Sequence, residues 1–114
     1  MMQDWNSYRD AQLEIVSNYA KLNPGVMRGL VTLDSAATKT GKLEPKVREL
    51  IALAVAVTTR CDGCIAVHTK KAVEQGATLE EISEALGVAI ALNAGAALAY
   101  SARAIEVHEQ LLNP

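Results

Sequence analysis

Glu49, Cys61, Cys64 and His68 are the residues of this chain whose types and spacing suit chemistry. A thiolate is a nucleophile and a metal ligand, and an imidazole moves protons near neutral pH. A carboxylate can orient that imidazole. The two cysteines form a Cys-x-x-Cys pair, and the chain has no others. In a reducing compartment such a pair points to redox or metal chemistry rather than to a structural cross-link.

The pair follows the most apolar run of the chain, Leu50 to Val57, every residue of which is apolar. A helix that is hydrophobic all round belongs in the middle of a fold, against several neighbours. Glu44-Pro45 opens it, with proline suited to a first helical position. Thr58, Thr59 and Arg60 continue a helix poorly, so the spacing predicts a break there and a new helix beginning at Cys61 or Asp62. That helix runs through Lys70, Lys71 and Val73 to a stop at Gly76.

Cys61, Cys64 and His68 then lie at i, i+3 and i+7, on one helix face. Cys61 sits at the helix N-terminus, where unpaired N–H groups and the helix dipole favour a thiolate. Cysteines so placed can close a disulfide with little backbone movement, which suits dithiol–disulfide cycling. His68, one turn past Cys64, can take a thiol proton or stabilise a thiolate. If the two helices pack antiparallel, Glu49 and His68 both lie roughly 10–13 Å from the break. A Glu49–His68 contact is therefore expected, with Cys64 nearest the pair. The bland readings are inert buried thiols, a satisfied helix histidine and a surface glutamate. Zinc could take all four groups, but no second Cys-x-x-Cys or paired histidine supports it. His108, between Glu106 and Glu109, reads as solvated. Lys70 and Lys71 suit a helix C-terminus and need no further role.

The rest of the sequence reads as helical scaffold. A first helix is expected from about Asp4 to Leu22, with Tyr8, Ala11, Ile15, Tyr19 and Leu22 as its apolar face. A second runs from Pro24 to about Lys39 and stops at Thr40-Gly41. Thr78-Leu79-Glu80-Glu81 is a capping-box pattern that starts a fifth helix. Asn93-Ala94-Gly95 is expected to interrupt it before a sixth, alanine-rich helix to Leu111, or else to kink one long helix. The prediction is an all-α single-domain bundle of about six helices over residues 1–114, with 1–39 as an N-terminal helical extension.

Alanine, leucine and valine dominate, and phenylalanine is absent. An alanine-rich core gains little per residue, about 0.8 kcal/mol per methylene, so burial between subunits is an expected supplement. The net charge of −2 offers no footprint for nucleic acid or an acidic membrane surface. No apolar run reaches the roughly 18–20 residues of a membrane span, and Leu50 to Val57 is only eight residues long with charged flanks. No basic stretch precedes an apolar one at the N-terminus, so a cytoplasmic location is expected.

The pattern Glu49-x11-Cys61-x2-Cys64-x3-His68, preceded by Leu43-Glu44-Pro45-Lys46-Val47-Arg48, resembles the carboxymuconolactone decarboxylase family. Within it the pattern is similar to the alkylhydroperoxidase D-like (AhpD-like) branch. The likeness extends from about Gly41 through Gly76-Ala77-Thr78-Leu79-Glu80-Glu81-Ile82 to the alanine-rich end, while residues to Lys39 match loosely. The resemblance implies helical protomers assembled as trimers or hexamers, with the site near subunit contacts. It also implies that Cys61 and Cys64 are a reactive dithiol and that His68 and Glu49 relay protons. Members of the redox branch place another histidine just before the second cysteine, where this chain has Gly63.

These residues predict a thiol-dependent oxidoreductase that needs no cofactor. It would reduce a peroxide or disulfide substrate and draw electrons from a dithiol protein or lipoyl-type carrier. A second reading is a lactone decarboxylase-like enzyme in which His68 and Glu49 move protons and the cysteines are incidental. A third is a non-enzymatic helical oligomer that senses oxidation or binds a metal.

Overall fold

The computed structural model describes residues 2–114, in five helices and no strand among the described residues: α1 (Trp5–Leu22), α2 (Pro24–Thr38), α3 (Pro45–Thr59), α4 (Asp62–Glu74) and α5 (Leu79–Leu112). The all-α class follows the sequence reading. Each start has a local cause. The Asp4 side chain accepts the Ser7 N–H at 3.0 Å to cap α1. Pro24 and Pro45 stand at the first positions of α2 and α3, where a missing N–H costs nothing. Thr78 and Glu81 form a reciprocal capping box at α5.

One boundary is narrowed and another differs from expectation. Thr58 and Thr59 remain in α3, their hydroxyls bonding back to the Ala54 and Val55 carbonyls at 2.9 and 3.0 Å. The expected break falls on Arg60, the last residue of that segment, which holds a left-handed φ of 55°. The sixth helix does not exist as a separate element, because α5 continues through Asn93 and Gly95. Asn93 spends its amide on the Ala89 carbonyl of its own helix at 2.8 Å and on the Thr58 hydroxyl of α3 at 3.0 Å. A side chain satisfied in this way no longer competes with the helix backbone.

Helix α3 is the hub, packing against α4 on one side and the first half of α5 on the other. Leu53, Ala72, Ala77 and Ile82 form the buried core, with Leu50, Ile65 and Leu86 against it. Helix α1 lies on α4 and carries α2. The expectation of burial all round α3 holds for one side only, since Ile51 and Val55 are exposed in the protomer. The expected apolar face of α1 is likewise uncovered at Ile15, Tyr19 and Leu22. The more covered side of α1 is instead Trp5, Tyr8, Arg9 and Gln12. Joining the two expected C-terminal helices also makes α5 long and apolar enough to cross a membrane by length and composition alone. Its N-terminal half packs against α3 in this fold.

Candidate functional site

The αL turn at Arg60 reverses the chain and sets Cys61 as the residue capping α4. Non-glycine residues seldom adopt this conformation. It is held here by the Arg60 N–H on the Val57 carbonyl (3.4 Å) and the Cys61 N–H on the Ala56 carbonyl (3.0 Å). Cys61 is extended, so its side chain faces the open end of α4. Its sulfur accepts the Cys64 N–H at 3.1 Å, as a serine or aspartate oxygen does at an ordinary N-cap. Cys61 and Cys64 are joined as a disulfide with their Cα atoms 5.2 Å apart.

One turn beyond, His68 turns toward α3. Its Nδ1 lies 2.7 Å from Glu49 Oε2. Antiparallel packing of α3 and α4 brings the two to the same depth, as their distances from the break require. An ionised carboxylate only accepts, so Nδ1 carries the proton and donates it, and in the neutral imidazole Nε2 is then the acceptor. The side chains are 29% and 20% exposed, respectively. The pair is shielded but open to a small reactant.

All four sequence-predicted residues therefore belong to one α3–α4 hairpin of one protomer. His108 lies exposed on the distal part of α5, and Lys70 pairs loosely with Glu74 at 3.7 Å, one turn on. Among the described residues no group of three or more His, Cys, Asp or Glu side chains is arranged to hold a metal.

Sequence reasoning passed over the contribution of α1. A cleft of about 560 Å³ runs between α1 and α4, walled by Trp5, Arg9, Ile65, Ala66, Thr69 and Val73 among others. Arg9 bonds Asn6 at 2.6 Å and reaches the Ala66 carbonyl at 3.5 Å. Further along the same side, Gln12 lies against Gly63, between the two cysteines in sequence. The signal was the spacing Trp5, Arg9, Gln12 at i, i+4 and i+7, which the apolar count on the other side of the helix outweighed.

The sequence profile of the carboxymuconolactone decarboxylase family matches residues 24–107. An uncharacterized protein of Haemophilus influenzae is 44% identical over 108 residues, covering 95% of this chain and 96% of that protein. Uncharacterized protein 4 in the cox locus of Paracoccus denitrificans is 40% identical over 81 residues, 71% of this chain and 73% of that one. Among solved structures, the apo form of a carboxymuconolactone decarboxylase family protein from Legionella pneumophila is similar at a TM-score of 0.73 and 38% identity. That likeness covers 93% of this chain and 95% of that one.

Proposed function

Since the chain belongs to the carboxymuconolactone decarboxylase family, we propose that it is a thiol-dependent oxidoreductase of the AhpD-like branch, cycling Cys61 and Cys64 between dithiol and disulfide. The observation that carries this reading is the Cys61–Cys64 disulfide at the open end of α4, one turn from the hydrogen-bonded His68–Glu49 pair.

In the reduced protein, the first-turn N–H groups of α4 stabilise a thiolate. That thiolate attacks one oxygen of a hydroperoxide. The O–O bond breaks, the sulfur is oxidised to a sulfenic acid, and the alkoxide leaves as an alcohol after taking from solvent the proton that the first thiol gave up. The second thiol gives its proton to His68 Nε2 and displaces the sulfenic hydroxyl, which takes that proton from the imidazolium and leaves as water as the disulfide closes. Glu49 holds the imidazole ring and stabilises the imidazolium formed in that step. An external dithiol, on a protein or a lipoyl-type carrier, returns two electrons and two protons by thiol–disulfide exchange. No resident cofactor is needed, and the chemistry suits a reducing compartment such as the cytoplasm.

The test is differential alkylation of the reduced protein before and after mild peroxide treatment, read by mass spectrometry. An intramolecular Cys61–Cys64 disulfide formed at the expense of peroxide supports the reading, and thiols that stay fully alkylatable end it. The Glu49–His68 pair also favours a second reading, because a carboxylate-oriented imidazole moves protons without any thiol. Turnover of a carboxylated lactone that survives Cys61→Ser and Cys64→Ser would favour the decarboxylase-like activity. Disulfide formation without turnover of either substrate would favour an oxidation sensor.

We further propose that the protein works as a homo-oligomer, a trimer or hexamer. The protomer has a radius of gyration of 18.9 Å, against about 13 Å for a compact chain of this length. Large apolar side chains of α2 and the second half of α5 lie uncovered in it.

A further inference from the structure

Gly63 occupies the first turn of α4 between the two cysteines and is buried. A Cβ built on it would overlap the terminal carboxamide of Gln12, with its oxygen, carbon and nitrogen as the three nearest atoms. Glycine leaves that space, and a side chain from α1 fills it. The carboxamide therefore rests on the Gly63 Cα, where its oxygen can accept a weak Cα–H contact and its N–H groups remain free. Among the described residues nothing hydrogen-bonds it, and neither polar atom is sealed from solvent without a partner. Gln12 lies outside the residues that the family profile matches, and the apolar patterning of α1 gives it no role.

We propose that Gln12 serves the dithiol from α1, its carboxamide donating a hydrogen bond to the thiolate formed when the Cys61–Cys64 disulfide is reduced. The proposal rests on the thiol-dependent reading above. Reduction by dithiothreitol breaks the S–S bond and yields two thiols, while the reagent closes to its cyclic disulfide. Loss of one thiol proton then leaves the thiolate. A short glutamine amide adds no charge of its own. The titratable and charged groups around this turn are Arg60 and Asp62 beside Cys61, His68 on α4, Glu49 on α3, and Tyr8 and Arg9 on α1. All of them are unchanged in the variants that follow.

The experiment is the pH dependence of iodoacetamide alkylation of the reduced full chain. Gln12→Met keeps the length of the side chain but cannot donate. It is expected to raise the midpoint by about half to one pH unit, slowing alkylation roughly three- to tenfold below it. Gln12→Glu keeps the shape and places a carboxylate beside the thiolate, so its midpoint should rise further. Gly63→Ala expels the carboxamide and should match Gln12→Met, and the double variant should shift no more than either single one. A packing role would lower the melting temperature without ordering the midpoints in this way. If Gln12→Met and Gln12→Glu both fold and titrate within about 0.2 unit of the wild type, the proposal is wrong. If Gln12→Met does not fold, Gln12→Glu and Gly63→Ala decide the matter by the same readout. Failure of the oxidoreductase reading is separable, because that reading needs peroxide to re-form the disulfide whereas the pH profile needs only reduced thiols.

Discussion

Leu53 of α3 and Leu98 of α5 are the same residue type in two helices of one protomer, yet the first is 2% exposed and the second 77%. The contrast extends to the regions around them. The α3–α4 hairpin holds Glu49, Cys61, Cys64 and His68, and it packs with the start of α5 around Leu53, Ala72, Ala77 and Ile82. Among the described residues, helix α2 packs on α1 alone, and α5 beyond Ala89 has no buried residue. Apolar patterning alone does not distinguish the two regions. The difference teaches that the four reactive side chains come together within one protomer, whereas much of the apolar surface of α2 and α5 is left uncovered in it.

The strongest way to break this division is at the cysteines. Cys61→Ser or Cys64→Ser should lower peroxide turnover by roughly a thousandfold or more, because no other thiol is present to close the cycle. The variants should still fold, and full peroxide activity in either would remove the dithiol from the mechanism. Next come the proton-moving groups. His68→Asn is expected to cost about a hundred- to a thousandfold in kcat, and Glu49→Gln, which keeps a hydrogen-bonding partner, about tenfold. A wild-type kcat in His68→Asn would take the imidazole out of the mechanism.

The apolar region is tested by Leu98→Glu. In light scattering the wild type should be an oligomer and this variant a smaller species, with peroxide-driven disulfide formation retained because the site lies within one hairpin. A wild-type monomer would break the comparison at its second half, since Leu98 would then be an ordinary exposed residue worth less than about 0.5 kcal/mol. Thr78→Ala, which removes the α5 cap, should cost about 1 kcal/mol in urea unfolding.

The smallest effect concerns Glu81. One carboxylate oxygen completes the capping box, and the other pairs with Lys46 at 2.8 Å. The Lys46 hydrogen bond, and after it the Thr78 N–H, hold the Glu81 carboxyl below the ordinary carboxylate range. Glu81 in turn pushes the Lys46 ammonium above its usual value. A carboxyl lowered on folding stabilises above its unfolded value, and that contribution is lost as pH falls through the folded one. A raised lysine stabilises below its unfolded value and loses the contribution only at high alkaline pH. The stability gap between wild type and Glu81→Gln should therefore be flat near neutrality and shrink in acid. A gap that widened in acid would contradict the pairing.

Much of this was legible one helix at a time. Pro24, Pro45 and the Thr78–Glu81 box mark helix starts because their signals are local and the structure keeps them. Cys61, Cys64 and His68 share a face because helical spacing alone puts them there. Glu49 was harder. Its depth matched that of His68 only on the supposition that α3 and α4 pack antiparallel, and the 2.7 Å contact is a product of that packing. Asn93 and Gly95 read as a break from propensity, until a bond to Thr58 on another helix satisfied the asparagine. The apolar stripe of α1 was visible, but which side of the helix would be covered was not. Arg9 and Gln12 meet α4 although Ile15 and Leu22 are the more hydrophobic.

The sequence by itself determined the helices, their caps and the dithiol at the head of α4, because each depends on residues within a turn or two of one another. Only the tertiary structure decided that His68 meets Glu49, that α5 runs unbroken, and that Gln12 takes the space above Gly63. Those outcomes depend on which helix faces which, and no periodicity within one helix encodes its neighbour.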